Sequence, residues 1–305
     1  MIEYICKYSP IEIFGGFGEE GVLLNPHSQN FEKADALSHR NICSFSRAVI
    51  ENRLSHGENA LILSKCCDSL TDVADVLEGV GQKVFILDLP HTNTHCSVDI
   101  YKEDLKKFVA KQEKFYGKSF DLKLFKAAFK AEKRLPMGEH IALMGARISP
   151  QIMEFIAENS PYPVENYACT NLRHLPEVPD TDDFDELMGW YARALLNQTP
   201  CMRMADISDR RRLISDPDLK GIIYNTVSFC DYYGFEYARL KDESIPILKI
   251  ETDYTLNGEG QMITRLEAFF ESMKKDEKIE NKTKNGYTAG IDSGSTSTNA
   301  VILDE

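Results

Sequence analysis

The sequence predicts an α/β fold of two domains, each built on a parallel sheet. Three observations carry that prediction. Short apolar runs of strand length alternate with amphipathic runs of about 10–15 residues. The alternation breaks at a polar stretch near the middle of the chain and then restarts. The chain is 305 residues long, room for about two domains.

The elements follow in order. Asn59–Ser64 (NALILS) reads as a buried strand, four consecutive apolar residues between polar ones, and Lys83–Leu89 (KVFILDL) as a second, closed by Pro90. Helical patterns follow at Tyr101–Tyr116 and Asp121–Lys133, the latter with apolar Leu122, Leu124, Phe125 and Phe129. Lys130–Glu139, polar and broken by a Pro and a Gly, divides two strand–helix sets. After it come a strand at His140–Gly145, a helix at Ser149–Asn159 with a Ser-Pro start and a strand at Pro163–Ala168. Helices are expected near Asp183–Asn197 and Arg203–Ser215, strands at Gly221–Val227 and Pro246–Ile250, and a last helix at Gly260–Lys274. The domains therefore read as 1–136 and 137–273, with a charged linker at 274–286. Residues 287–305 form strand, Gly/Ser/Thr turn and strand, too small to bury a core alone; the expectation is the start of a third domain.

Composition narrows the partners. Forty-eight acidic against 35 basic residues give a formal net charge of −13. That argues against binding nucleic-acid phosphates or an anionic membrane surface. No apolar run reaches the roughly 18 residues of a membrane helix, and the first residues, with an early Glu3, lack a signal-peptide core. A cytoplasmic protein is expected, in which the eight cysteines stay reduced as structural thiols, catalytic thiols or metal ligands.

Seven of those cysteines fall where ligands gather in open α/β sheets, beyond strand ends or at helix starts. Cys66 and Cys67 follow the strand at 59–64, Cys96 lies in the loop after 83–89, Cys169 ends the strand at 163–168 and Cys230 follows 221–227. Cys43 and Cys201 sit at helix starts, and Cys6 alone falls outside the pattern. Tight C-x₂₋₄-C pairs of a zinc site and the C-x₂-C-x₂-C ferredoxin run are both absent. Spacing alone leaves two readings open: scattered buried thiols, or a cluster held by loops of two facing domains.

Several ordered blocks carry a resemblance. Asn41-Ile42-Cys43-Ser44-Phe45-Ser46-Arg47, Cys67-Asp68-Ser69, Ser228-Phe229-Cys230-Asp231, the run Ile245–Tyr254 and the run Gly260–Phe269 resemble the 2-hydroxyacyl-CoA dehydratase family, which includes benzoyl-CoA reductase subunits and double-cubane cluster proteins. Tyr8-Ser9-Pro10-Ile11-Glu12 looks like its first strand-to-helix turn, and the likeness spans roughly residues 1–273. The resemblance implies two Rossmann-like domains facing a cleft that holds a 4Fe–4S cluster through Cys43, Cys67 and Cys230. Cys96, Cys169 and Cys201 are further candidates; with six thiols the cleft suits a double-cubane 8Fe–9S cluster, and with three an ordinary cubane. It also implies an activator ATPase as electron donor, an acyl-CoA substrate, a homo- or heterodimer, and radical dehydration of a 2-hydroxyacyl thioester, with two alternatives: reduction of small molecules by a double-cubane protein, or a non-catalytic cluster-bearing electron carrier.

The tail has a likeness of its own. Gly290–Val301 resembles the first phosphate loop of those activator ATPases, which are actin/hexokinase-like. Asp292, Gly294, Ser295, Thr296 and Thr298 are then the residues that meet ATP phosphate and Mg²⁺ once the rest of such a domain is present. Asn299 stands where that family usually has Lys.

The remaining polar residues suggest structural roles. Arg47 and Glu51 are spaced as a helix ion pair, and Glu251 and Asp253 as loop supports. His39, His91 and His95 read as solvated loop residues, and Trp190 as core.

Overall fold

The computed structural model describes residues 1–129, 138–169, 173–240, 245–255, 259–279, 288–293 and 298–303. Two four-stranded sheets form, each parallel throughout. The first has the order β2-β1-β3-β4, from β1 (Ile2–Tyr4), β2 (Gly21–Leu23), β3 (Ala60–Lys65) and β4 (Val84–Asp88). The second has the order β6-β5-β7-β8, from β5 (His140–Gly145), β6 (Val164–Asn166), β7 (Leu219–Val227) and β8 (Ile247–Thr252). Strands buried on both faces read as unbroken apolar runs. Every residue of β5, and all of β3 except Lys65, is buried.

The first half also carries α1 (Ile11–Gly15), α2 (Glu32–Leu37), α3 (Ser44–His56), α4 (Asp68–Gly79), α5 (His95–Tyr116) and α6 (Leu122–Ala127). On α4 the buried residues Leu70, Val73, Ala74 and Leu77 repeat at i, i+3, i+4 and i+7, one face of a helix. The helix expected from Tyr101 begins earlier, at His95, because the Thr94 hydroxyl accepts from Ser97 N and caps it. It stops at Gly117, which adopts φ +63°.

The second half carries α7 (Pro150–Asn159), α8 (Phe184–Leu196), α9 (Ser208–Ile214), α10 (Asp231–Leu240) and α11 (Glu259–Ile279). Ser149 caps α7 and Pro150 opens it, as the Ser-Pro signal predicts. Residues 203–207, expected to be helical, are irregular. The linker expected from residue 274 begins no earlier than residue 280, because α11 continues to Ile279. Lys and Glu propagate a helix well without any apolar stripe, so a charged run does not end one. The boundary expected at 136/137 lies outside the described residues.

Helix α8 does not join the sheet that its place in the chain suggests. Leu187, Met188, Tyr191 and Leu195 lie in the first half's core, with Ile13, Phe14, Leu105 and Phe125. Asp183 caps the helix, and Lys102 and Lys106 of α5 both bond Asp185. Arg173 and Tyr191 both bond Glu12 of α1. A domain drawn as 137–273 thus includes a segment whose packing belongs to 1–136. The tail forms the antiparallel hairpin β9 (Thr288–Ser293) and β10 (Thr298–Leu303).

Candidate functional site

The carboxyl ends of the two sheets meet around one cavity, with some 980 Å³ free of protein atoms, part of it open to solvent. Seven cysteines line it: Cys6, Cys43, Cys66, Cys67, Cys169, Cys201 and Cys230. The remaining lining is mostly apolar or aromatic, with Phe45, Val227, Tyr233 and Tyr254 among it.

Local structure explains how each thiol arrives there. Cys43 is the N-cap residue of α3 and Cys67 that of α4, and Cys230 directly precedes α10. Free N–H groups and the positive end of a helix favour a thiolate at such positions. Ser44 N donates to Ser228 O (3.1 Å), which ties the Cys43 turn to the Cys230 turn across the two halves. Cys43 Sγ donates to Ser46 Oγ (3.3 Å). Phe229, in the Cys230 turn, holds φ +63° with its ring exposed, a strained state for a bulky residue.

A second group approaches from the other side. Cys6 lies two residues beyond β1. Cys169 N donates to Gly145 O (2.8 Å) at the end of β5, and Cys201 N donates to Tyr8 Oη (3.1 Å). Cys6 feels the charges of Cys169 and Cys201, and Cys230 that of Cys43. Cys6 thus neighbours Cys169 and Cys201, and Cys230 neighbours Cys43, while Cys66 adjoins Cys67 and also neighbours Cys6. Burial pushes the Cys6 thiol up to about 12 and also raises Cys201 and Cys230. The Cys66 thiol donates to Cys67, which lowers Cys67 and raises Cys66; Arg203 Nη1 donates to Cys66 Sγ (2.8 Å).

Two sequence expectations change. Cys96 does not face the cavity: it is exposed in the first turn of α5, because the Thr94 cap starts the helix before it. Cys6, set apart by the sequence, is in the wall. The strand-end rule that places the other cysteines also places Cys6, once the three-residue β1 is recognised.

The other expected residues fall as follows. Arg47 pairs not with Glu51 but with Asp35, through two hydrogen bonds of 2.8 Å; Glu51 instead accepts from Ala34 N (2.8 Å). The two parallel N–H···O bonds to Asp35 are the stronger arrangement, and the Glu51 carboxylate is already engaged. Glu251 accepts from Ser228 Oγ (2.9 Å) and Asp253 from Thr255, as loop supports. His39, His91 and His95 are exposed, and Trp190 packs against the first core. Asp292 and Thr298 lie on the hairpin strands; Gly294, Ser295 and Thr296 lie outside the described residues.

Among the described residues no three His, Cys, Asp or Glu side chains converge as ligands of a single metal ion. The donors around the cavity are soft, anionic when deprotonated, and spread over its wall, a set suited to a polynuclear iron–sulfur group. Among the described residues no helix is long and apolar enough to cross a membrane.

Fold and site together define a class: paired parallel α/β domains, Rossmann-like in build, closing on a thiol-lined cavity. The family model of the 2-hydroxyglutaryl-CoA dehydratase D-component matches residues 6–137 and 136–273, and the chain belongs to that family. No curated protein matches the chain.

Proposed function

We propose that the chain is an iron–sulfur component of a radical dehydratase system, supplied with low-potential electrons by an ATP-dependent activator. The observation that carries this reading is the single cavity into which both halves project their thiols. Cys43, Cys67 and Cys230 would hold a 4Fe–4S cluster, whose chemistry is one-electron transfer at low potential, with an iron open to act as a Lewis acid. The chain's own part is to present thiolates at the starts of α3 and α4, within a wall that is otherwise mostly apolar and aromatic but carries several cationic side chains. Dehydration of a 2-hydroxyacyl-CoA is the reaction proposed.

A second reading rests on the Cys6–Cys169–Cys201 group, which would hold the other half of a double-cubane cluster in a reductase of small molecules. Cys6 stands where Cys96 was expected to contribute. The β9–β10 hairpin is proposed as the first phosphate loop of an activator ATPase domain, and a homo- or heterodimer as the assembly.

Iron and acid-labile sulfide, measured on protein purified without oxygen, test both readings. About four irons per chain support one cubane and about eight the double form. Cys43→Ser lowers the content in either case. Cys6→Ser lowers it only in the second, and Cys96→Ser in neither. A folded protein without iron overturns the proposal.

A further inference from the structure

The buried and half-buried arginines separate into two kinds. Arg53 is paired with Glu3, Arg173 with Glu12, Arg210 with Glu236 (2.6 Å) and Arg47 with Asp35 (2.7 Å). Arg147 and Arg203 have no carboxylate partner among the described residues, and both line the cysteine cavity. Lys7, buried at 6% exposure, shares that position and donates to Thr199 O rather than to an acid. Among the described residues no carboxylate lines this cavity, in a chain with a net charge of −13. A buried cation without a counter-charge is costly, and here such cations gather around one space.

Arg147 is the sharpest case. It is 7% exposed. Nη1 donates to Leu24 O (2.8 Å), and the guanidinium lies over the ring of Phe45 (5.4 Å), two residues beyond Cys43. Nη2 is buried and has no hydrogen-bond partner. The backbone beneath it is held firmly: Arg147 O accepts from Asn225 Nδ2 (2.9 Å) and from Tyr254 Oη (3.1 Å). Tyr254 is itself held at φ +59° while buried at 2% exposure, a conformation that persists only where its surroundings enforce it. The protein thus fixes a buried cation, with a spare donor, at the wall of an acid-free cavity.

We propose that Arg147 is a positioning residue for the anionic occupant of this cavity: Nη2 donates to it, and the guanidinium charge raises its reduction potential. The inference rests on the iron–sulfur reading and adds a residue outside the thiol set. A fixed positive charge favours adding an electron to an anionic group, and hydrogen bonds to cluster sulfur act in the same direction.

The test is potentiometry followed by electron paramagnetic resonance on protein purified without oxygen, with iron and sulfide determined on the same samples. Arg147→Met lowers the midpoint potential by at least a tenfold change in the reduction equilibrium, about 59 mV for one electron. Arg147→Lys, which keeps the charge, restores most of it. Arg193→Met, the same charge change at an exposed position on α8, leaves the midpoint in place. Arg147→Gln, a milder change, carries the same measurement should the Met variant fail to fold. An unmoved midpoint in variants whose iron and sulfide match the wild type overturns the role of Arg147. A wild-type protein without iron overturns the cluster reading beneath it, so the two failures are distinguishable.

Discussion

Gly145 and Gly234 accept the same added methyl group with opposite consequences. Gly145 ends β5 at φ +83°, and a Cβ built there would stand 2.1 Å from Asn225 O. The left-handed backbone costs an L-residue about 1–2 kcal/mol. The overlap adds about 1–3 kcal/mol, because its partner is the backbone of β7 and has no side-chain freedom to yield. Gly145→Ala therefore destabilises by roughly 2–5 kcal/mol. Gly234 lies inside α10 with nothing within 4 Å of its added Cβ, so Gly234→Ala stabilises by up to about 1 kcal/mol. Urea unfolding followed by circular dichroism reads both values, with unchanged slopes confirming that the unfolded states match. If Gly145→Ala fell within about 0.5 kcal/mol of the wild type, the ordinary scatter of surface changes, the argument from the close approach to β7 would be wrong. The same turn leads to Arg147 and accepts from Cys169 N, so under the proposed iron–sulfur reading the variant also weakens iron loading.

Other perturbations follow from single contacts. Glu236→Ala strands Arg210, which is 5% exposed, and removes the acceptor of Tyr224 Oη (2.6 Å); a loss of about 3–5 kcal/mol is expected in urea unfolding, and a loss under about 1 kcal/mol would contradict it. His27 is held below its usual range by burial, then by Arg147, and its Nδ1 has no partner. Below the unfolded value of about 6.5 the unfolded chain binds the extra proton first, so stability falls as pH drops through that value; His27→Gln flattens that limb, and an unchanged profile rules the residue out. Cys96, alone exposed among the eight cysteines, reacts first with a thiol reagent on folded protein. Cys96→Ser removes that fast phase, and a fast phase that survives would place another thiol at the surface.

How much the sequence reveals depends on what each element must satisfy locally. β3, β5 and β7 are sandwiched between helices, so their apolar runs are continuous and readable. β1 and β2 have three residues each, too few for any period to declare itself. The stripe on α8 shows which face is buried but not against which neighbour, and so its place on the first half is invisible in the sequence. For the site, the strand-end rule locates the thiols after β3, β6 and β7. It fails at Cys6, where the strand is too short to read, and at Cys96, where a helix cap intervenes. Arg147 has no signature at all, since its significance is the absence of a carboxylate that only packing reveals.

The return of α8 to the first half has a mechanical consequence. The described stretches alternate between the halves: residues up to 129 belong with the first sheet, β5 to β6 with the second, α8 through Ala205, whose N donates to His91 O (2.7 Å), with the first, and α9 onward with the second, so the chain joins the halves at three places. Two bodies joined by one strand of chain can swing apart freely, but three separated tethers remove most of those degrees of freedom. The cleft is left with small rocking displacements, and separately expressed halves would each lack part of a core. For the iron–sulfur role proposed above, such stiffness would matter, because electron-transfer rates depend steeply on distance.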